Sequence, residues 1–223
     1  MSEAMVPIYL RLAGRRCLVV GGGEIALRRA RTLAEAGARV RVVAPDVRTE
    51  LHDVAGVEVT RAAYNPEMLA GVELVFACTD RRAVNAAVAA DARRAGTWCN
   101  AADQPDDCDF FMPAVVRRGR LSVAVGTGGA APALSSAVRK RLDAWLDPDY
   151  ERLSAVLAEA RLRLKDAIDS PSQRHALQAR LCEDDSMSRL VREGEAAWWA
   201  WFDQLVAQAD AAPRRSSPPE PPA

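Results

Sequence analysis

The chain lacks net charge: Lys plus Arg and Asp plus Glu each total 30 among 223 residues. A global basic field that would hold nucleic acid is thereby excluded, and any anionic ligand must meet a local patch. Long apolar runs are missing as well. Nowhere does an uncharged stretch approach the roughly 20 residues that span a bilayer, and MSEAMVPIYLRLAGRR opens without a basic leader ahead of an apolar run. No membrane partner is expected, and the chain reads as soluble and cytoplasmic. Cysteine is sparse: five residues, an odd number without CxxC spacing, argue against a disulfide framework and against a zinc ribbon. Cys17, Cys78 and Cys99 sit in apolar, strand-like runs and read as small buried hydrophobes. The two histidines, His52 and His175, lie far apart without partner motifs, so no histidine metal site is expected.

What is present is an ordinary globular balance, 49% hydrophobic and 27% charged, so the fold must be sought in pattern. The length suits a main domain with a smaller appendage. From about residue 15 to residue 125, short β-branched runs alternate with Ala- and Arg-rich helical stretches, the sign of βαβ units around a parallel sheet. Cys17 to Val20 reads as a buried strand. Leu27, Ala30, Leu33 and Ala34 then share one side of a helix, with Arg28, Arg29 and Arg31 largely outside and Gly37 as its stop. Val40 to Val43 and Val57 to Thr60 continue the strands, and Asn65-Pro66-Glu67 carries the capping side chain and first-turn proline of a short helix. Leu74 to Cys78 is the next strand. Thr79 or Asp80 is expected to cap a helix through Arg94, which Gly96 ends before the strand Thr97 to Ala101.

Beyond Asp103 the character changes. Ala114 to Val116, the polar turn Arg117 to Gly119, and Leu121 to Val125 read as a hairpin that leaves the first domain. From Pro132 the pattern is helical in pieces, broken near Asp147-Pro148 and Ser170-Pro171. Trp198, Trp201, Phe202 and Leu205 recur at helical spacing in the last piece, as core or dimer packing requires. The tail PRRSSPPEPPA lacks the apolar content to fold and reads as disordered.

Directly after the first strand, Gly21-Gly22-Gly23-Glu24-Ile25-Ala26 fits GxGxxA at the strand-to-helix turn where a dinucleotide pyrophosphate sits. Gly21 permits the tight turn, Gly23 admits the pyrophosphate, and Ala26 allows close contact of helix and strand, while the helix start offers unpaired N–H groups. Asp46 is the candidate for the adenosine ribose hydroxyls, after the interruption by Ala44 and Pro45. An acid there favours NAD over NADP, with Arg48 nearby weakening the preference; a plain turn aspartate after Pro45 is the competing reading.

With these residues in place, the chain resembles the precorrin-2 dehydrogenase and sirohydrochlorin ferrochelatase family, found alone or as the amino-terminal module of sirohaem synthases. The stretches that carry the resemblance are PIYLRLAGRRCLVVGGGEIALRRARTLAEAGARV, VFACTD with Asn85 following, and CNAADQPDDCDFFMPAVVRRGRLSVAVGTGGAAPALSSAVRKRL, covering roughly residues 5 to 146. The resemblance implies an NAD-dependent oxidation of precorrin-2 to sirohydrochlorin, with ferrous-iron insertion as a second activity of the same module. It implies a homodimer and an α/β fold. A Rossmann-like parallel-sheet domain is expected over 1–113, a strand-pair dimerisation and substrate region over 114–146, a helical C-terminal domain over 147–208, and a disordered tail over 209–223.

The resemblance also assigns roles. Asp103, in CNAAD, matches the family's acid-base aspartate. Glu24, Ile25, Pro45 and Asp46 fall where relatives contact the cofactor, and Thr79 and Asp80, which close VFACTD, are counted with them. Gly126-Thr127-Gly128-Gly129 matches a glycine-rich turn beside the substrate, which makes Thr127 and Gly128 substrate candidates. Relatives often read NVVD where this chain has NAAD, and serine where it has Thr127. Nothing after about residue 147 is matched, and no methyltransferase segment follows, so uroporphyrinogen methylation is not expected.

The chemistry asks for two acceptors, since the oxidation removes a hydride and a proton. NAD takes the first, and a carboxylate at the carboxyl end of a strand is placed for the second. Asp106, Asp107 and Asp109 read as a solvated acidic loop near Asp103. A polycarboxylate substrate needs cations, for which Arg117, Arg118 and Arg120 are the candidates, with Arg139, Lys140 and Arg141 pointing in different directions around the next helix. No tightly held metal is expected. Two other classes stay open: a non-catalytic NAD-sensing domain, and another small-molecule dehydrogenase on the same fold, against which DFFMP and GTGGAAP speak.

Overall fold

The computed structural model describes residues 5–102 and 104–211; Asp103 and the rest of the tail expected to be disordered over 209–223 lie outside them, while residues 209–211 are helical, the last helix running through Ala211. The chain divides into two compact units, with the divisions after Met112, Val125 and Ala131. The first unit holds the segment before Met112 together with residues 126–131, and the second holds the rest.

The first unit is built on a five-stranded parallel sheet. Its strands are β1 (Arg16–Val20), β2 (Arg39–Ala44), β3 (Val57–Arg61), β4 (Leu74–Ala77) and β5 (Trp98–Ala101), in the order β3-β2-β1-β4-β5. Alternate residues of β1 and β4 enter opposite cores, which is why these runs are apolar throughout rather than alternating. On one face α1 (Glu24–Glu35) lays Ala26, Leu27, Ala30 and Leu33 against Cys17, Val19, Val42 and Phe76. On the other, α2 (Arg82–Ala95) lays Val88, Ala89 and Ala92 against Leu18, Val20, Val75 and Ala77. Gly96 ends α2 in the left-handed conformation, at φ 67°, as expected of a helix stop. The direction of crossover reverses between β1 and β4, so the loops after these two strands flank a crevice at the carboxyl edge of the sheet. This is the Rossmann-like α/β fold that the pattern indicated.

Three local expectations are corrected. Asn65 sits at an N-cap position but makes no side-chain cap bond, and Pro66–Leu69 form a single 3-10 turn rather than an α-helix. Leu69 is drawn into the core so soon that no further turn can propagate. Neither Thr79 nor Asp80 caps α2; Arg81 holds that position, and the Thr79 hydroxyl is bonded to Asn85 and to the Arg81 backbone instead. In the hairpin, β6 (Ala114–Arg118) pairs antiparallel with β7 (Leu121–Val125), so Arg117 and Arg118 belong to the strand and the turn is Gly119-Arg120. Arg118 is held there because its guanidinium donates to the Asp143 and Leu146 carbonyls, at the end of the next helix.

The second unit carries that hairpin and five helices: α3 (Pro132–Trp145), α4 (Asp149–Ala167), α5 (Pro171–Arg180), α6 (Asp184–Arg192) and α7 (Glu195–Ala211). The expected break at Ser170-Pro171 is an N-cap, the Ser170 hydroxyl accepting the Gln173 N–H at 3.4 Å. Trp198 is fully buried at the centre, stacked on Phe202 and donating its Nε1–H to the Ser186 hydroxyl at 2.9 Å. Trp201, Phe202 and Leu205 join the same cluster, so the aromatic stripe of α7 is packing. Among the described residues no helix is long and apolar enough to cross a membrane.

Cys17, Cys78 and Cys99 are buried, as expected, and burial pushes their thiols up to about 11, 11 and 12. Thiolate, not thiol, is the nucleophile, so these three resist modification near neutral pH. Titration of the native protein with a thiol-specific disulfide reagent should show a fast equivalent from exposed Cys182, lost in Cys182→Ser, a slower one from half-buried Cys108, and the three buried thiols only after denaturation.

Candidate functional site

The loop after β1 is defined by close backbone contacts. Gly21 donates its N–H to the Val43 carbonyl at 2.9 Å and takes φ 129°, and a Cβ there would lie 2.5 Å from the Cys78 carbonyl oxygen. A Cβ at Gly22 would collide with the Asp46 carbonyl, while the Gly22 carbonyl accepts the Arg48 N–H at 2.9 Å. Gly23 differs: a Cβ there would meet nothing within 4 Å. It is the N-cap residue of α1 and supplies no side-chain cap, so the first amides of the helix face open space. That arrangement fits a pyrophosphate, with bare N–H groups, the positive end of the helix dipole and no methyl in the way.

Around this loop the structure brings together most of the cofactor candidates. Pro45 and Asp46 are exposed beside it, with Asp46 fixed through its own backbone against Gly22. Ile25, 41% exposed, and Glu24 flank the start of α1. Arg48 is already engaged, 2.6 Å from Glu50 and 3.5 Å from Glu24. Across the crevice the loop after β4 is held by Asn85, which is fully buried in α2. Its Oδ1 accepts the Thr79 N–H at 3.1 Å and hydroxyl at 2.7 Å, and its Nδ2 donates to the Thr79 carbonyl at 2.9 Å. Thr79 is thus fixed and half-buried, and Asp80 is exposed.

Asp103 lies outside the described residues. Its neighbour Ala102 donates its N–H to the Ala77 carbonyl at 2.9 Å, next to the end of β4, and the side chain of Gln104 accepts from Arg82 at 3.1 Å. The loop beyond is not simply a solvated acidic run: Asp109 accepts the Cys99 N–H at 2.8 Å and returns its own N–H to the Cys99 carbonyl at 2.8 Å. This clamp carries Phe110 onto Phe76, edge to face with centroids 5.4 Å apart. Asp106 is exposed in the short turn before it.

In the glycine-rich turn, the Thr127 hydroxyl accepts the Ala131 N–H at 3.0 Å. Gly128 and Gly129 take φ 61° and 80°, the left-handed region that favours glycine, and a Cβ at Gly129 would also strike the Phe111 ring. In the second unit, Arg118 is spent on the end of α3 and on Asp143, whereas Arg117 and Arg120 are exposed. Arg139 pairs with Asp143 at 3.7 Å. Among the described residues no cluster of histidine, cysteine or acid side chains is arranged to hold a metal ion.

A family profile described as "Putative NAD(P)-binding" matches residues 8–114, and one described as "Sirohaem biosynthesis protein central" matches residues 118–144. The siroheme synthase of Ectopseudomonas mendocina is 41% identical over 170 residues, covering 76% of this chain and 37% of that protein. That of Methylococcus capsulatus is 38% identical over 216 residues, covering 96% and 45%. The chain therefore spans less than half the length of these relatives. A solved structure, "SirC, precorrin-2 dehydrogenase", superposes with a TM-score of 0.77 and 30% identity over 92% of this chain and 100% of its own. The chain belongs to the precorrin-2 dehydrogenase family. The match over residues 8–114 makes its first unit a nicotinamide-dinucleotide-binding domain.

Three residues of this dehydrogenase fold escaped the sequence reading of roles. Gly22, not Gly21 or Gly23, is the tightest glycine, a fact that only the packing of β2 against the loop reveals. Asn85 was quoted without a role, although a polar residue on the stripe of Val88, Ala89 and Ala92 is itself a signal of a buried bond. Arg29, expected outside, is half-buried with its guanidinium 5.9 Å from the centre of the Phe76 ring. The glycines yield a sharp contrast. Gly22→Ala should cost roughly 1–3 kcal/mol in urea unfolding through overpacking. Gly23→Ala should leave stability unchanged yet weaken NADH binding about tenfold, or ~1.4 kcal/mol, in a fluorescence titration.

Proposed function

We propose that the protein oxidises precorrin-2 to sirohydrochlorin, with NAD as hydride acceptor and Asp103 as proton acceptor. The observation that carries this reading is the uncapped, sterically open turn at Gly23, at the switch point of a chain that matches a precorrin-2 dehydrogenase from end to end of that protein. Gly21 and Gly23 shape the seat, with Glu24 and Ile25 at its rim. Pro45 and Asp46 lie at the ribose end, and Thr79 and Asp80 are on the β4 side. Asp46 supports NAD over NADP, because a 2′-phosphate would meet its carboxylate while Arg48 is occupied by Glu50 and Glu24.

The bound nicotinamide supplies the two-electron sink. The chain supplies the base: Asp103 stands two residues after β5 in the sequence, and the described residue before it, Ala102, donates its N–H to the Ala77 carbonyl at the carboxyl edge of the sheet, where open α/β sheets hold their ligands. A single carboxylate taking one proton, with one hydride leaving to the nicotinamide, balances the oxidation. Thr127 and Gly128 are assigned to the substrate, as are the exposed guanidiniums of Arg117 and Arg120, whereas the engagement of Arg118 gives it a structural task first. We assign residues 1–113 to the cofactor, 114–146 to dimerisation and substrate, and 147–208 to a helical cover.

A homodimer is supported by apolar surface on α3, where Leu134 and Trp145 are 56% and 68% exposed, and by the open edges of the two-stranded sheet. Ferrous iron is a candidate second substrate, inserted after oxidation with the same aspartate removing pyrrole protons. The cytoplasm is the proposed location. Under anaerobic conditions, precorrin-2 and NAD should yield NADH, and NADP should serve less well. Asp103→Asn should lower the rate by about 10²–10⁴-fold, the usual worth of a general base, with dinucleotide affinity kept. Unchanged turnover in the variant would remove Asp103 from the reaction.

A further inference from the structure

Among the described residues Arg29 is a half-buried cation with no ion-pair partner. Its Nε is wholly buried and has no hydrogen-bond partner, and no ion pair involves its guanidinium among the described residues. The groups that act on it are the thiols of Cys78 and Cys108 and the like charge of Arg28. Burial of the Cys78 thiol pushes it up to about 11, so it offers no negative charge near neutral pH. Burial draws the Arg29 guanidinium below the ordinary arginine value. Proteins rarely leave a half-buried charge unpaired, because desolvation is then uncompensated.

Its place in the fold says where the missing anion would come from. Arg29 is five residues beyond Glu24, about 7–8 Å along α1, too far down the helix to share the amides that face Gly23. Helical side chains lean toward the amino end of their helix, which for α1 is the carboxyl rim of the sheet. There the guanidinium carbon lies 5.9 Å from the Phe76 centroid, beside Cys78 at the end of β4, with Phe110 edge-on to the same ring. Phe76 is fully buried and seats the guanidinium from within the core, and a half-buried guanidinium whose Nε is unbonded suits a macrocycle that carries carboxylates on its rim.

We infer that Arg29 binds a peripheral carboxylate of the tetrapyrrole, through the guanidinium that projects over Phe76. This rests on the functional reading above, and it adds a binding residue to it. The other source of an oxyanion at this rim is the dinucleotide pyrophosphate, and the two are separable. The full-length protein, wild type, Arg29→Met and Arg29→Lys, is titrated with sirohydrochlorin in the presence of saturating NADH, followed by tetrapyrrole absorption, and separately with NADH alone, followed by its fluorescence. Met keeps the packing on Phe76 and so controls for folding, which a thermal melt checks.

The expected result is sirohydrochlorin binding weakened about 10- to 100-fold in Arg29→Met, the worth of a charge-assisted hydrogen bond, with most of it restored in Arg29→Lys and NADH binding unchanged. Equal sirohydrochlorin affinity in wild type and Arg29→Met would overturn the assignment. So would a loss confined to NADH, which would give the anion to the cofactor. Wild type that binds NADH but no sirohydrochlorin would instead bring down the functional reading, and the carboxylate with it.

Discussion

Everything at the carboxyl edge of this sheet depends on how closely three stretches of backbone approach one another at Gly21 and Gly22. The Cys78 carbonyl lies where a side chain of Gly21 would be, and the Asp46 carbonyl where one of Gly22 would be. Hydrogen bonds from Gly21 to Val43, from Arg48 to Gly22 and from Cys78 to Val20 tie the same three stretches together. The loops after β1, β2 and β4 thus form one rigid rim. Because two glycines are consumed in building it, the third is left bare, and the start of α1 opens onto space rather than onto protein.

That rim carries groups of both signs. It presents the uncapped amides of α1 and the guanidinium of Arg29, which has no ion pair among the described residues, beside the exposed carboxylates of Asp46 and Asp80, while Glu24 and Glu50 hold Arg48 and Asp109 holds the backbone of Cys99. In a chain of zero formal net charge the donors at this edge are a local feature. Asn85 serves the same end from below, fixing Thr79 through three hydrogen bonds so that the β4 loop does not fold over the crevice.

The sheet was legible in the sequence because short apolar and β-branched runs alternate with helical stretches, β1 and β4 being apolar where both faces are buried, and all five runs became strands with ends shifted by a residue or so. The glycine triplet was legible as a motif, but not which glycine does what, since that depends on β2 and β4 packing from far away in sequence. Polar residues misled most. Arg117 and Arg118 read as a turn because charge usually marks a loop, yet a strand in a two-stranded sheet keeps a solvent face, and Arg118 finds helix carbonyls to bond. Arg29 was assigned to the outside of α1 by periodicity, which cannot know that an aromatic ring on β4 offers a guanidinium somewhere to lie. Asp109 is exposed, as an acidic loop residue should be, but its bond to a backbone amide ten residues earlier is invisible to side-chain pattern.

A crystal structure of the protein with NAD would test the central claim most directly, because the seat is defined by backbone and leaves little freedom. The pyrophosphate oxygens should lie about 3 Å from the amides at the start of α1, over the bare Cα of Gly23, with the adenosine ribose toward Asp46. A dinucleotide found elsewhere on the chain, or one whose phosphates avoid Gly23, would contradict it.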